Sequence, residues 1–291
     1  MRLLVTGAGG FLGSRLLAYY RQRYEVWGPS HRELELTDGE GVLRALEAWR
    51  PKVVLHCGAI SDVAACSADP AGSYRINVDG AYHVAKACAR VGARLVFCSS
   101  DQVYFRREEP ASANDREAFA LRQNRESDPV CPVPVYGKQK LAAEELLREV
   151  CPDSVSLRLS WMYDALTESE KNRGRRNLGT MLLDALETGE GLTFSDTDYR
   201  SVTDASRVVR WMETAWQLPA GVYNFGSGSR QSMYRTARQV LAAFGREELV
   251  RKGGDNSLRN LTMDAGKLEK NGICFPETAE GLIDFLREQS G

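Results

Sequence analysis

Tyr136 and Lys140 are four residues apart, in the segment Tyr-Gly-Lys-Gln-Lys. On a helix this spacing puts both side chains on one face, with Cβ atoms about 5–6 Å apart. A free tyrosine titrates near ~10, too high for proton transfer at neutral pH, and a neighbouring ammonium lowers that pKa. We therefore predict that Lys140 makes Tyr136 a general acid for an alkoxide forming at a carbonyl. Ser100, at the end of an apolar run, can donate a second hydrogen bond to the same oxygen.

A glycine-rich loop covers residues 7–13, Gly-Ala-Gly-Gly-Phe-Leu-Gly, between the first predicted strand and the first predicted helix. Glycine allows a tight turn and a close approach of the backbone to a pyrophosphate. The first N–H groups of the helix then bind the anion at the positive end of the helix dipole. We predict a dinucleotide-binding loop whose contacts come from Gly7, Gly10, Phe11, Leu12 and Gly13.

The residues after the second predicted strand bear on the choice of cofactor. Proteins specific for NAD often have an acidic residue there for the ribose hydroxyls. This sequence has Ser30, His31 and Arg32 instead, and a hydroxyl and a guanidinium suit a ribose phosphate. The sequence therefore favours NADP(H) and leaves NAD(H) open. The alternative is a solvated turn that contains an arginine by chance.

Short apolar runs alternate with helix-period segments through the first half of the chain. Strands are predicted at Arg2–Thr6, Glu25–Trp27, Val53–Cys57, Arg94–Ser99 and Ser154–Leu159, and helices at Gly10–Arg23, Gly41–Trp49, Asn77–Val91 and Tyr136–Val150. Strands that are apolar throughout are buried on both faces, as in a parallel sheet covered by helices. This order predicts an α/β fold with a doubly wound parallel sheet of the Rossmann type and a smaller C-terminal substrate-binding lobe.

The domain prediction divides the chain near residue 160. Residues 1–160 form the NAD(P)-binding domain, with a surface insertion or mobile loop near 105–134. Residues 161–291 form a mixed substrate-binding lobe that partly returns to the sheet. Within it we predict a charged loop at Thr167–Arg176, helices at Leu178–Leu186, Gln231–Phe244 and Ala279–Glu288, and a strand at Val222–Phe225.

Composition argues against several other classes of protein. The 291 residues carry a net charge of -1, so there is no electrostatic reason to expect nucleic-acid or membrane binding. No apolar stretch reaches the ~18 residues of a membrane helix. Seven cysteines without Cys-x-x-Cys spacing favour a reduced, cytoplasmic compartment without a disulfide framework. The same spacing, with only three histidines, predicts no metal site.

Together, the glycine loop, Ser100 and the Tyr-x-x-x-Lys pair resemble the extended short-chain dehydrogenase/reductase superfamily, whose members mostly act on nucleotide sugars. Within it, the sequence is most similar to the dTDP-4-dehydrorhamnose reductase family, over nearly the whole chain. Residues 99–101, Ser-Ser-Asp, resemble the Ser-Thr-Asp strand end of that family. Residues 158–163, Arg-Leu-Ser-Trp-Met-Tyr, resemble its Arg-x-Ser-Trp-x-Tyr segment.

The resemblance implies further roles, each with a simpler alternative. Trp161 would lie at the sugar of the substrate, although large aromatic residues often only pack in a core. Ser100, Asp101 and Asn177 would also contact the substrate. The remaining implied cofactor contacts are Glu35 and Leu36 at the adenine, with Ala59, Ile60, Ser61, Cys98, Tyr136 and Lys140 along the rest of the cofactor. Apolar strand ends explain several of these positions almost as well.

Departures from the family limit what the resemblance implies. The family's Val-Asp-x-x-Glu pattern reads Val-Ala-Ala-Cys-Ser at residues 63–67, and the glycine expected soon after Tyr104 is missing. These differences leave open the substrate and any family-type metal at a subunit interface. The basic residues Lys171, Arg173, Arg175 and Arg176 fit either a clamp for a pyrophosphate or a solvated loop.

The resemblance implies an NAD(P)H-dependent reductase of a 4-keto-6-deoxy sugar nucleotide, with Tyr136 as the proton donor. One alternative is an epimerase or dehydratase that retains NAD. Gln102 stands where such dehydratases have a glutamate base, which counts against dehydration but not against epimerisation. Another alternative is a non-catalytic regulatory subunit. The nucleotide, the sugar, the stereochemistry and the oligomeric state stay open, and a homodimer is compatible with the sequence.

Overall fold

The computed structural model describes residues 1–106, 113–254 and 257–290. The strands are β1 (Arg2–Thr6), β2 (Glu25–Trp27), β3 (Val53–His56), β4 (Arg94–Ser100), β5 (Val155–Leu159), β6 (Trp161–Tyr163), β7 (Leu192–Phe194), β8 (Asp198–Arg200), β9 (Val202–Asp204), β10 (Gly221–Phe225), β11 (Val250–Lys252) and β12 (Arg259–Leu261). The helices are α1 (Phe11–Tyr20), α2 (Gly39–Trp49), α3 (Val63–Ala68), α4 (Pro70–Tyr74), α5 (Gly80–Val91), α6 (Ala113–Leu121), α7 (Val135–Val150), α8 (Glu168–Asn172), α9 (Leu178–Thr188), α10 (Ala205–Ala215), α11 (Met233–Ala242), α12 (Gly266–Glu269) and α13 (Thr278–Ser290). A π-helical turn, Arg75–Asp79, precedes α5.

A six-stranded sheet has the order β10-β5-β4-β3-β1-β2. β1 pairs in parallel with both β2 and β3, and β3 pairs in parallel with β4. After β2 the chain returns to the other side of β1, so the strand order reverses between β1 and β3. In such sheets ligands bind at the carboxyl ends of the strands beside this switch point. The predicted doubly wound α/β fold is confirmed.

The described residues form two compact units. The first contains residues 1–103, 130–158 and 209–223. Its core includes one face of the sheet and the helices α2, α5 and α7, with Leu46, Val84, Phe97 and Leu147 among the buried side chains. Continuous burial along β3 and β4 explains why both strands are apolar almost throughout.

The second unit contains residues 104–129, 159–208 and 224–291. It holds three two-stranded parallel pairs, β6 with β9, β7 with β11 and β8 with β12. The helices α9, α11 and α13 supply much of its core, which includes Leu182, Val240 and Phe285.

Two segments predicted as loops contain helices. α6 lies inside the 105–134 insertion, and Asn124 beyond it is buried, with its N–H donated to the carbonyl oxygen of Thr262. Residues 107–112 of this insertion lie outside the described residues. The charged segment 167–176 contains α8, which begins with a reciprocal capping box between Thr167 and Glu170. For segment 167–176, charged composition was therefore a wrong indicator of a loop. None of the helices in the described ranges has the length and apolarity needed to cross a membrane.

Candidate functional site

The glycine loop lies at the switch point and is shaped by contacts that only glycine permits. Gly7 has φ +65°, and a Cβ there would lie 2.7 Å from the backbone nitrogen of Gly58, which follows β3. A Cβ on Gly13 would collide with the backbone of Gly7 and Ala8. The loop is therefore pressed against the end of β3 and the start of α1.

The start of α1 is built to bind an anion. Gly10 occupies the N-cap position, and no side chain of the described residues caps the helix there. Its first N–H groups are thus available to a ligand. The Leu12 side chain is buried, so its backbone is the part that can contact a cofactor, while Phe11 is half-buried beneath the Arg15 guanidinium. These features fit the pyrophosphate of a dinucleotide.

The turn after β2 offers a different set of donors from the predicted one. Ser30 donates its N–H and its hydroxyl to the Glu33 carboxylate, over 2.8 and 2.7 Å. These hydrogen bonds lower the pKa of Glu33. The Ser30 N–H and hydroxyl could donate to a ribose phosphate, but both are already hydrogen-bonded to the Glu33 carboxylate. His31 and Arg32 are exposed, which makes Arg32 the stronger candidate for phosphate binding.

Glu35 and Leu36, the implied adenine contacts, differ in their exposure to solvent. The Glu35 carboxylate is exposed and accepts hydrogen bonds from the N–H and hydroxyl of Thr37. The Leu36 side chain is 6% exposed and packs in the core, so it cannot stack on a base without moving.

Ser100 and Tyr136 are brought together by a close approach of α7 to the chain after β4. A Cβ on Gly137 would meet the backbone of Gln102, at 3.0 Å from its carbonyl carbon, and Pro132 at 2.9 Å. Glycine at this position lets the first turn of α7 lie against that backbone. As a result, Tyr136 is within hydrogen-bonding reach of Ser100. Gly137 was not singled out from the sequence, although it stands inside the Tyr-x-x-x-Lys motif.

The pKa of Tyr136 is shifted in the direction opposite to the prediction. Burial of the phenol raises its pKa well above the ordinary value, the Asp101 carboxylate raises it further, and the hydrogen bond with Ser100 opposes both. The pKa of Tyr136 is thus raised and not lowered as predicted, because desolvation is the largest influence on it. Tyr136 is consequently a neutral phenol over the physiological pH range and can act as a proton donor.

Lys140 lies below the tyrosine with its charge buried. Its Nζ donates to the carbonyl oxygen of Cys98 over 2.8 Å and lies 5.7 Å from the centre of the Tyr136 ring. The side chain is only 3% exposed, and burial lowers the pKa of Lys140 to about 8. Lys140 is thus mostly in its ammonium form at pH 7.

A buried ion pair fixes α7 one turn beyond Lys140. Arg158 on β5 donates to both carboxylate oxygens of Glu144, over 2.7 and 3.0 Å, and Ser99 on β4 donates to the same carboxylate. All three residues are nearly inaccessible to solvent. The pair thus ties α7 to the two neighbouring strands that carry the site. From the sequence, Arg158 is predicted only as part of a family segment, and Glu144 is not predicted.

Residues 59–61 are positioned by an amide from the π-helical turn. Asn77 accepts from the N–H of Ile60 and donates to the carbonyl oxygen of the same residue, over 2.8 and 2.9 Å. It also donates to Gln139 on α7 over 2.8 Å. Ala59 and Ile60 are half-buried and Ser61 is exposed, so this clamped segment remains accessible to a cofactor.

In the second unit, Trp161 lies on β6 and is 38% exposed, with the Arg200 guanidinium 5.6 Å from its ring centre. An indole this exposed is not a core residue and can contact a ligand. Asn177, in contrast, is buried and caps α9 by accepting from the N–H of Thr180, and its amide donates to the carbonyl oxygen of Asp164. The Asn177 amide is therefore already hydrogen-bonded to the local backbone.

The basic run of the second unit is largely paired with acids. Lys171 contacts Glu168 at 3.0 Å, and Arg176 contacts Asp184 at 2.9 Å. Arg175 lies 3.9 Å from Glu170. The exposed pairs of Lys171 and Arg176 are worth little in stability, so a ligand phosphate can replace Glu168 and Asp184 at small cost.

A cavity of about 400 Å³ in the second unit was not predicted from the sequence. Arg122, Arg125 and Arg230 line it, together with Asp128 and Asp264. Asp128 pairs with Arg122, and Asp264 pairs with Arg125.

Residues 1–264 match the family described as "RmlD substrate binding domain". The chain belongs to this family. Over 99% of its length it is 27% identical to the spore coat polysaccharide biosynthesis protein SpsK of Bacillus subtilis, covering 98% of that protein. It is 34% identical to a dTDP-4-dehydrorhamnose reductase of Mycobacterium tuberculosis over 56% of this chain and 50% of that protein. The crystal structure of a dTDP-4-dehydrorhamnose reductase from Bacillus anthracis, in complex with NADP, superimposes with a TM-score of 0.81 at 22% identity, covering 99% of this chain and 98% of that one. The resemblance inferred from the motifs is confirmed.

Proposed function

We propose that this protein reduces the keto group of a 4-keto-6-deoxy sugar nucleotide with a nicotinamide cofactor, NADP(H) being favoured. Two kinds of relative support this activity, the reductases named above and the structure that holds NADP. The observation that carries the proposal is the cluster of Ser100, Tyr136 and Lys140 in the unit that contains the glycine loop. The bound cofactor supplies the hydride.

Ser100 and Tyr136 are the proposed hydrogen-bond donors to the carbonyl oxygen of the substrate. Their hydroxyls are within hydrogen-bonding reach of each other, so one acceptor oxygen placed between them can receive a hydrogen bond from both. As negative charge develops on that oxygen, Tyr136 gives up its proton. The raised pKa of Tyr136 keeps this proton in place until an alkoxide, which is more basic than the phenolate, begins to form.

Lys140 stabilises the phenolate that Tyr136 leaves behind. Its Nζ is 5.7 Å from the tyrosine ring centre and is held by the Cys98 carbonyl oxygen. A positive charge at this distance in a dry site favours the ionised product of proton transfer. We further propose that Lys140 holds the nicotinamide ribose, and that the glycine loop and Arg32 bind the phosphates of the cofactor.

Trp161 is the proposed contact of the sugar ring. Its indole is open to a ligand over more than a third of its surface. A planar aromatic face suits the apolar side of a 6-deoxy sugar, which has a methyl group in place of a polar hydroxymethyl group. The basic residues of segment 171–176 are the proposed contacts of the pyrophosphate.

The experiment incubates the protein with NADPH and a panel of 4-keto-6-deoxy sugar nucleotides that differ in base and sugar. The absorbance of NADPH and the mass of the product are followed. The matched control panel has a hydroxyl in place of the 4-keto group. We expect NADPH oxidation with one or more keto compounds and none with the control panel. Cofactor binding without reduction of any member, or interconversion of the hydroxyl compounds, would contradict the proposal and favour a regulatory protein or an epimerase.

A further inference from the structure

Two cysteines lie side by side at the carboxyl ends of β3 and β4. His56 pairs with Phe97 across these strands, and Cys57 and Cys98 are the next residue on each. Adjacent strands are about 4.8 Å apart, which is within the 4.4–6.8 Å range of Cα separations in disulfides. The two Sγ atoms are 3.4 Å apart. Disulfide formation therefore requires only a small displacement of the two cysteines, backbone included.

The hydrogen bond between the two thiols shifts their pKa values in opposite directions. It lowers the pKa of Cys98 and raises that of Cys57. The buried Lys140 ammonium favours a thiolate at Cys98 as well. Cys57 is partly exposed, so a small oxidant can approach the pair from its side.

We propose that Cys57 and Cys98 are a redox modification site that forms a reversible disulfide on exposure to a peroxide. The Cys98 thiolate attacks one oxygen of hydrogen peroxide, the O–O bond breaks, and a sulfenic acid forms at Cys98. The other oxygen leaves as hydroxide, which takes up a proton to form water. The Cys57 sulfur then attacks the Cys98 sulfur, the S–O bond breaks, and water leaves. Two electrons pass from the sulfurs to the peroxide, and both thiol protons end in water. A dithiol reductant reverses the reaction by thiol–disulfide exchange.

The disulfide acts on the cofactor site through contacts at both strand ends. The backbone of Cys57 lies directly against Gly7, where an added Cβ would be 2.8 Å from the Cys57 carbonyl carbon. The Cys98 carbonyl oxygen holds Lys140. Drawing the sulfurs from 3.4 Å to about 2.05 Å moves both strand ends and thereby the glycine loop and Lys140. Oxidation therefore weakens cofactor binding, and by reciprocity bound cofactor opposes oxidation.

The effect on turnover rests on the proposed function, but bond formation and cofactor affinity do not. The test uses the full chain with the exposed Cys131 and Cys274 replaced by serine, a background that should keep its activity because both residues lie outside the site. This protein is treated with hydrogen peroxide with and without NADPH. Free thiols, disulfide-linked peptides under non-reducing conditions and NADPH fluorescence are then measured.

We expect peroxide to remove two thiols, to link the peptides of Cys57 and Cys98, and to weaken NADPH binding by about tenfold, within the range typical of coupled sites. Dithiothreitol should reverse all three effects, and NADPH added beforehand should slow them. In the same background, Cys98→Ser lacks the attacking thiolate, is compared with its own untreated sample, and should show no linked peptide and no dithiol-reversible loss of affinity.

Absence of the linked peptide overturns the proposal, as does an unchanged NADPH affinity of the linked protein. An equal dithiol-reversible loss of affinity in Cys98→Ser would also overturn it. These readouts need no sugar nucleotide. A protein that forms the disulfide but reduces no member of the keto panel therefore contradicts the proposed function alone.

Discussion

Replacing Lys140 by methionine should make the protein more stable and less active at the same time. The lysine ammonium is held in a site where it is 3% exposed, and burial lowers its pKa from 10.5 to about 8. Native protein therefore binds this proton more weakly than the unfolded chain does. Methionine has a similar length and no charge, so it fills the site without that penalty.

The magnitude follows from the two pKa values. Lowering the pKa of Lys140 from 10.5 to about 8 costs about 3 kcal/mol of the free energy of unfolding at pH 7, at ~1.4 kcal/mol per pKa unit. The pKa shift already contains the cost of charging the amine. Compared with the neutral amine, methionine loses the hydrogen bond to the Cys98 carbonyl oxygen, which is worth about 1 kcal/mol. We expect Lys140→Met to be more stable than the native protein by about 2 kcal/mol at pH 7.

The pH dependence has a definite sign. Between pH 8 and pH 10.5 the unfolded chain keeps a proton on Lys140 that the native protein releases, so native stability gains from this residue as the pH rises. The advantage of the variant should therefore shrink by about 2 kcal/mol between pH 7 and pH 9.5. Urea unfolding at both pH values measures this difference.

Lys138→Met is the matched control, because Lys138 is exposed on the same helix. Its stability difference from the native protein should hardly change between the two pH values. Weaker NADPH binding and slower reduction are expected for Lys140→Met alone. A Lys140→Met variant that is less stable than the native protein at pH 7, with a difference that does not vary with pH, would refute the reasoning.

Three further substitutions test other residues of the proposed site and its support. Glu144→Gln leaves the Arg158 guanidinium buried without a carboxylate, so it should lower the free energy of unfolding by about 3–5 kcal/mol in urea, and a loss below about 1 kcal/mol would contradict the buried pair. Arg32→Ala should narrow the preference for NADPH over NADH by about 1–3 kcal/mol in fluorescence titrations, and equal affinities in the native protein would contradict the phosphate contact. Trp161→Ala should raise the KM for the sugar nucleotide while the Kd for NADPH stays the same, whereas a large loss of thermal stability would indicate a packing role.

The sequence predicted the site best where its signals are local. Tyr136 and Lys140 share one helix, and Ser100 ends an apolar strand, so their type and spacing are readable without a structure. The Glu144–Arg158 pair was not predicted, because the two residues are 14 positions apart on different elements and meet only through tertiary packing.

The pKa of Tyr136 was mispredicted for a related physical reason. Spacing on a helix identifies a charged neighbour but not the degree of burial, and here burial has the larger effect.

The missed elements of the fold are short or polar. β6, β7, β8, β9, β11 and β12 have three residues each, too few for a periodic pattern. The charged segment around α8 was predicted as a loop, although the Thr-x-x-Glu spacing of Thr167 and Glu170 is a recognisable helix start. In contrast, the bounds of β1 and β2 were predicted to the residue, because glycines or charged residues flank their apolar runs.

In the proposed reaction, the cofactor's hydride reaches the keto carbon while Tyr136 supplies the proton. Both transfers are followed with NADPH deuterated at the transferred position of the nicotinamide and the keto panel, using mass spectrometry and NMR to locate the deuterium in the product. We expect one deuterium on the former carbonyl carbon of the sugar. In Tyr136→Phe the rate should be lower by about 10²–10⁴-fold, with an unchanged melting curve. A product without deuterium at that carbon, or a Tyr136→Phe variant that transfers deuterium at the native rate, would show that this mechanism is wrong.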